Sequence, residues 1–334
     1  MRRPFPPSVV AVAAAAVVVS SVPTVAGPVV VAPRPQVCAV PDRSVKLYAE
    51  KLRGDRIGYG RTPKAASVPG PTLEMTEGEC LAVTLVNHTV RRLSMHAHGV
   101  DYTVASDGTR LNRGCVPGGG SRTYTFRAHS SSRRPDGTIK PGSAGYWHYH
   151  DHCKGGAHGT DGIRKGLFGA FIVRRPGDPE PDRPPFVVVM GPGLTIGLKS
   201  APNTPLFTAD EGERVEFVVI GHGDLFHTFH LHGHRWADNR TGIPQGFTDP
   251  SPILDNKTVG PADSFGFQVI AGEGVGPGAW MYHCHVQNHS DFGMSGLMLV
   301  RDSSGRLTED ARTTLGAWRH MEHAHTHRSA GPGH

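Results

Sequence analysis

Beyond its first thirty residues the sequence has no apolar run approaching the ~20 residues needed to cross a bilayer, so no transmembrane helix is expected in the mature chain. It also lacks a long basic run or basic residues interleaved with aromatics. Its 35 Lys and Arg and 29 Asp and Glu are scattered, which favours a soluble chain and argues against nucleic-acid binding. Extended helical periodicity is missing, and the eight methionines are dispersed. Cysteine is scarce, at five. Histidine is abundant instead: 21 of 334 residues. It is the commonest metal ligand, so metal chemistry is the first expectation.

The length suits two domains. Arg2 and Arg3 precede an apolar run from Val9 to Val19 and the small-residue pattern Thr24-Val25-Ala26. Residues 1–32 therefore read as a signal peptide and leader, and a secreted or extracytoplasmic location is expected. Arg2-Arg3-Pro4-Phe5 partly matches a twin-arginine signal, which leaves the Sec and twin-arginine routes both open. Five cysteines in an exported chain imply disulfides with one thiol left over, and Cys284 is the one left unpaired. Cys38 with Cys80 and Cys115 with Cys153 is the preferred pairing, since each pair lies within one predicted domain; other pairings stay open.

The chain repeats itself. At an offset of 134, Glu77-Gly78-Glu79 recurs as Glu211-Gly212-Glu213, His88 as His222, and His96-Ala97-His98-Gly99 as His230-Leu231-His232-Gly233. Trp147-His148-Tyr149-His150 matches Tyr282-His283-Cys284-His285 at offset 135, and Gly166 through Arg174 matches Gly293 through Arg301 at offset 127. Short alternating runs such as Leu81–Leu85 and Val215–Val219, separated by Gly- and Pro-rich turns, predict two β-sandwiches. The boundaries read as residues 33–178 and 184–302, joined by a Pro-rich linker. Residues 303–334 turn polar and carry His320, His323, His325, His327 and His334, a composition that predicts a disordered tail with incidental metal affinity.

Residues two apart on a strand share a face, so His-x-His offers two imidazoles to one metal cluster. Four such pairs occupy matched positions: His96 with His98, His148 with His150, His230 with His232, and His283 with His285. One pair alone would fit surface histidines; symmetric recurrence points to ligands. Alternation sends the Cys284 side chain away from His283 and His285. A thiolate, two imidazoles and a weak thioether make a blue copper site, which Cys284, His289, Met294 and His227 would complete.

These motifs, His-x-His twice, His-x-x-His-x-His and His-Cys-His-x-x-x-His-x-x-x-x-Met, resemble the four copper motifs of multicopper oxidases. Tyr146 through His152 and His230 through Trp236 are similar to segments of the two-domain bacterial small laccases. The resemblance implies an all-β chain of two cupredoxin-like Greek-key sandwiches and four coppers: one type 1, one type 2 and two type 3. It makes His96 and His230 the type 2 ligands, and His98, His148, His150, His232, His283 and His285 the type 3 ligands. The repeat divides these eight four and four, pairing His148 with His283 and His150 with His285. It further implies a homotrimer whose trinuclear clusters lie between subunits, a head-to-tail contact closing into a ring. Opposite His227, Cys284 and Met294 the first domain carries Leu93, Tyr149 and Leu167, so no type 1 copper is expected there. His158 reads as a remnant ligand or as a hydrogen-bonded loop histidine.

The implied reaction is one-electron oxidation of phenols or aromatic amines at the type 1 site near His289, with electrons passing through Cys284 to its neighbours and dioxygen reduced to water. Asp107, a short loop after His98, is the best local carboxylate for proton delivery, as its position in small laccases also suggests, or else a turn-stabilising residue. Tyr102 matches a tyrosine that small laccases place beside the cluster, where a phenol could lend an electron; a packed strand tyrosine is the other reading. A metal-ion oxidase is the nearest competitor, weakened by the missing Met-rich insertions. Copper nitrite reductase is disfavoured because its first-domain cysteine would fall at Tyr149.

Overall fold

The computed structural model describes residues 37–321. The signal peptide and leader, together with His323, His325, His327 and His334, lie outside the described residues. The first half contributes β1 (Arg43–Lys51), β2 (Ile57–Gly60), β3 (Gly70–Thr76), β4 (Cys80–Asn87), β5 (His96–Ala97), β6 (Ser121–Arg127), a hairpin of β7 (Ser132–Arg133) and β8 (Ile139–Lys140), β9 (Gly145–His150), α1 (Thr160–Lys165) and β10 (Phe168–Arg174). The second half contributes β11 (Phe186–Met190), β12 (Leu206–Asp210), β13 (Arg214–Gly221), β14 (His227–Leu231), a pair of β15 (Trp236–Ala237) and β16 (Ile253–Leu254), β17 (Asn256–Val259), β18 (Ser264–Ile270), β19 (Gly278–Cys284), α2 (Gln287–Asp291) and β20 (Ser295–Arg301). A last helix, α3, spans Glu309–Arg319.

Each half is a pair of sheets. The first has strand orders β2-β1-β4-β6 and β3-β10-β9-β5; the second has β11-β13-β18 and β12-β20-β19-β14-β17. Alternation in β4 sends Leu81, Val83 and Leu85 inward to meet Leu73, Tyr149 and Phe171 from the facing sheet. Val215, Phe217 and Val219 of β13 meet Phe229, Tyr282 and Met298 in the same way. The architecture is the all-β sandwich arrangement expected.

The outer face of the β9–β10 ladder is apolar as well, because it packs on the second half: Tyr146, Phe168, Ala170 and Ile172 meet Val189, Val218 and Ile220. Here Glu216, wholly buried, accepts hydrogen bonds from the Tyr146 hydroxyl at 2.7 Å, from Arg174 and from Gln268 at 3.1 Å. A buried carboxylate is tolerable only when paired and hydrogen-bonded in this manner.

Two disulfides, Cys38–Cys80 and Cys115–Cys153, are those preferred from the sequence, and Cys284 is free and buried. One expectation fails. The polar segment after Asp302 is ordered over α3, where Ala311, Leu315 and Trp318 form an apolar stripe against Ala201, Leu297 and Leu299. The Thr308 side chain caps this helix by accepting from the Ala311 N–H at 3.2 Å.

Candidate metal centre

β14 and β19 are adjacent antiparallel strands, with Phe229 opposite Cys284 and His230 opposite His283. Alternation then sorts their side chains between two faces. On the inner face, Cys284 Sγ lies 3.6 Å from His289 Nδ1 and 3.9 Å from His227 Nδ1, and the two ring nitrogens are 3.2 Å apart. All three residues are buried. Burial holds His227 down to about 4, with His289 adding to the shift, and burial likewise lowers His289. Both shifts favour the neutral rings, whose lone pairs one cation could use. Met294 is buried in the same cluster, tied in through its carbonyl, which accepts the Cys284 N–H at 2.9 Å. A thiol and two converging imidazole nitrogens suit copper better than any hard cation.

The other face carries the histidine pairs. His232 Nε2 and His283 Nε2 are 3.2 Å apart, as are His98 Nε2 and His150 Nε2 in the first half. His96 Nδ1 donates to the Asp107 carbonyl at 2.7 Å and His230 Nδ1 to the Asp255 carbonyl at 2.7 Å. His150 and His283 likewise donate Nδ1–H to the carbonyls of Asp151 and Cys284, at 2.8 and 2.9 Å. Committing Nδ1–H to a backbone oxygen leaves Nε2 as the free donor atom, the usual tuning of a metal histidine. Among the described residues, two groups of three therefore hold ligand atoms within 4.8 Å of one another on this side: His96, His98 and His150, and His230, His232 and His283. Each draws on one half only. His148 stands beside the first group, its ring 4.0 Å from that of His98, and both its nitrogens are buried without a partner. His285 is exposed, 5.4 Å ring to ring from His283 and from His230. Burial holds His98 down to about 4 and pushes His148 and His150 well below the ordinary imidazole value.

Corresponding contacts relate the two halves in a register that differs from the sequence match. Tyr149 pairs with Gly169 and Tyr282 with Gly296, two glycines related at offset 127. The Tyr149 hydroxyl donates to the Pro71 carbonyl and the Tyr282 hydroxyl to that of Pro205, carbonyls 134 residues apart. Trp147 and Trp280 bond the carbonyls of Ser143 and Gly276 in the same fashion. In this strand the offset is thus 133, and His150 corresponds to His283, Asp151 to Cys284 and His152 to His285. The pairings of His148 with His283, His150 with His285 and Tyr149 with Cys284 are corrected accordingly. The physical reason is that His148, His150 and His152 have strand period two, so a two-residue slip returns the same pattern on the same face.

Two histidines of the first-half cluster escaped the sequence reading. His152, whose Nδ1 is buried without a partner, lies 5.2 Å ring to ring from His96 and 5.7 Å from His150; the third member of the alternating run was its signal. His222 belongs to the second half, yet sits 5.1 Å from His148 and 5.6 Å from His150, with a buried, unpartnered Nε2. No local motif announces it. His158 reaches His152, at 5.3 Å, from the exposed loop before α1.

Asp107 and Tyr102 both border His96. Asp107 Oδ1 is 3.6 Å from His96 Nδ1, while Oδ2 accepts from Thr109 and Asn112. Burial pushes this carboxyl up, but those two hydrogen bonds together with the nearby His96 and His152 leave it below its ordinary value. The Tyr102 ring stands edge-on to His96 at 5.9 Å, its hydroxyl raised by burial and by Asp107.

Residues 65–178 and 181–304 match two multicopper oxidase sequence models. A probable nitrite reductase-hydroxylamine oxidoreductase fusion protein from Kuenenia stuttgartiensis is 31% identical over 272 residues, covering 74% of this chain and 29% of that protein. Laccase-2 from Oryza sativa subsp. japonica is 33% identical over 155 residues, 42% of this chain and 26% of the relative. The chain thus spans less than a third of the length of these curated relatives. Among solved structures, a blue copper oxidase from Nitrosomonas europaea has the same fold, with a TM-score of 0.56 and 24% identity over 78% of this chain and 86% of that one. Sequence models over both halves, with a buried Cys-His-His triangle and paired histidines behind them, lead to one conclusion: the chain belongs to the multicopper oxidases.

Proposed function

We infer that this protein is a laccase-type oxidase that takes single electrons from phenols or aromatic amines and delivers them to dioxygen. The observation that carries the reading is the placement of Cys284 in the His227–His289 triangle while both of its chain neighbours are histidines on the opposite face. Copper bound there would supply one-electron acceptance at Cys284 and dioxygen reduction at a histidine cluster. The polypeptide between them gives a covalent path from one to the other. The proposed complement is four coppers per chain: type 1 on His227, Cys284, His289 and Met294, type 2 on His96 and His230, and a type 3 pair on the remaining paired histidines.

Since each of the two histidine groups draws on one half, a three-copper cluster needs a first half facing a second half. A ring of subunits, head to tail, supplies that meeting and favours the trimer. Asp107 is the proposed proton donor and Tyr102 the neighbouring phenol. Two disulfides suit an oxidising compartment, in keeping with export directed by residues 1–32.

Nitrite reduction is the second reading, favoured by the name of the Kuenenia relative. It calls for a first-half thiolate, and the corresponding position, now Asp151, has a carboxylate in its place. A metal-ion oxidase differs only in reductant.

The test is copper analysis, visible absorption and oxygen uptake on a phenol, using purified copper-loaded protein. About four electrons consumed per dioxygen, with blue absorption, is the expected result. One copper per chain overturns the reading, as does nitrite consumption without oxygen uptake.

A further inference from the structure

In the second half, Cys284 ties two segments together even before metal is considered. Its sulfur accepts the Thr228 N–H at 3.5 Å, and the His285 N–H donates to Thr228 Oγ1 at 2.8 Å. The first half repeats this arrangement without sulfur. Asp151 Oδ1 accepts the Ser94 N–H at 2.6 Å, and the His152 N–H donates to Ser94 Oγ at 3.0 Å. Ser94 and Thr228 are 134 residues apart, Asp151 and Cys284 133. The next layer matches too: the Asp151 N–H bonds the Leu167 carbonyl at 2.9 Å as the Cys284 N–H bonds that of Met294 at 2.9 Å.

Around Asp151 the other donors of a blue site are gone. Leu93 and Leu167, both fully buried, stand where the second half has His227 and Met294. The carboxylate does what the thiolate does not. Its Oδ2 accepts the Lys154 N–H at 2.6 Å, so one buried side chain joins the end of β9 to the segment entering β5 and to the following loop. Gly162 makes room for it, since a Cβ there would lie 2.2 Å from Oδ2.

We propose that the first half is a blue-copper fold in which a hydrogen-bonded carboxylate clasp has replaced the copper–thiolate crosslink, and that Asp151 is a positioning residue for the first-half metal histidines. In the second half, copper held by Cys284, His227 and His289 would join β19, β14 and α2, so that part of the geometry would depend on metal. In the first half Asp151 holds Ser94, two residues before His96, and its own carbonyl fixes the His150 ring with Nε2 toward His98. Hydrogen bonds to a carboxylate are among the strong ones. Removing the acceptor strands the Ser94 and Lys154 N–H groups inside the protein.

The inference rests on the reading of these histidines as copper ligands. Its test compares wild type, Asp151→Ala and Asp151→Asn in the full chain, by copper content, blue absorption, electron paramagnetic resonance of the type 2 copper and near-ultraviolet circular dichroism. Both variants keep the Asp151 carbonyl that holds His150, so the effect arises from release of the Ser94 segment that carries His96; copper binding at the histidine cluster is expected to weaken toward the ~10–100-fold seen when a ligand's support is lost. Asp151→Ala should therefore keep its blue absorption and fold signature while its type 2 signal falls. Asp151→Asn, which retains an oxygen for the Ser94 N–H, should recover part of that signal. Full copper content and an unchanged type 2 spectrum in Asp151→Ala would overturn the clasp, as would an Asn variant no better than Ala. If Asp151→Ala does not fold, the Asn variant decides alone: a weakened type 2 signal with intact blue absorption supports the clasp, and wild-type spectra overturn it. A wild-type chain binding a single copper would sink the ligand reading itself, which separates the two failures.

Discussion

A serine at 284 would keep nearly the shape of the cysteine but lose the soft donor that closes the His227–His289 triangle. Cys284→Ser is expected to abolish blue absorption and phenol turnover and to lower copper content by about one per chain. The histidine-cluster coppers should stay, as judged by the type 2 resonance. Loss of all copper together would mean that the two centres form as one unit. At this scale the sequence was most legible, because each proposed ligand sits in a short motif whose strand alternation already assigns its face. Asp107 and Tyr102 were found beside His96 because they follow it closely. His222 was legible only as the repeat partner of His88; its place beside His148 and His150 was not, since they are more than seventy residues away.

Among the elements, α3 and β9 were the two misread, for opposite reasons. The stretch leading into α3 was judged by the polarity and low complexity of the histidine-rich residues after it. Yet it contains a capping threonine, Glu309 and Asp310 in its first turn, Arg319 in its last, and an apolar stripe spaced for one face. Trp318 is buried, and its indole N–H donates to the Pro202 carbonyl at 3.2 Å. Trp318→Ala should cost about 3 kcal/mol, the lower end for such a truncation because the helix lies at the surface. Thermal unfolding of the full chain measures it, and an unchanged midpoint would mean that the helix contributes no packing. β9 was assigned correctly as a strand but two residues out of register with its repeat partner. Turn residues and repeated alternation could not expose the slip; the Tyr149 and Tyr282 hydroxyl contacts did.

Across the whole molecule, stability depends on how the halves meet. Arg174→Met would leave the Glu216 carboxylate buried with only Tyr146 and Gln268 as donors, a loss of about 3–5 kcal/mol. Adding Glu216→Gln removes the stranded charge and should recover part of it, which denaturant unfolding of the single and double variants would check. The proposed ring makes a separate prediction. A His96→Ala/His98→Ala chain and a His230→Ala/His232→Ala chain should each be inactive, whereas refolding them together should restore oxygen uptake to about a quarter of wild type, because random assembly pairs an intact first half with an intact second half at one contact in about four. No recovery in a confirmed mixed oligomer would place the complete cluster within one chain.

The sequence by itself determined the duplicated all-β plan, the paired histidine motifs, the odd cysteine and the strand faces of the proposed ligands. These follow from composition, internal repetition and the two-residue period of a strand, all of which are local. Tertiary structure alone decided that Asp151 stands in the place of Cys284, that His222 joins the other half's histidines and that α3 packs on the sheet. A period-two pattern is blind to a two-residue slip, and contacts between distant segments depend on which faces remain apolar after the sandwiches close.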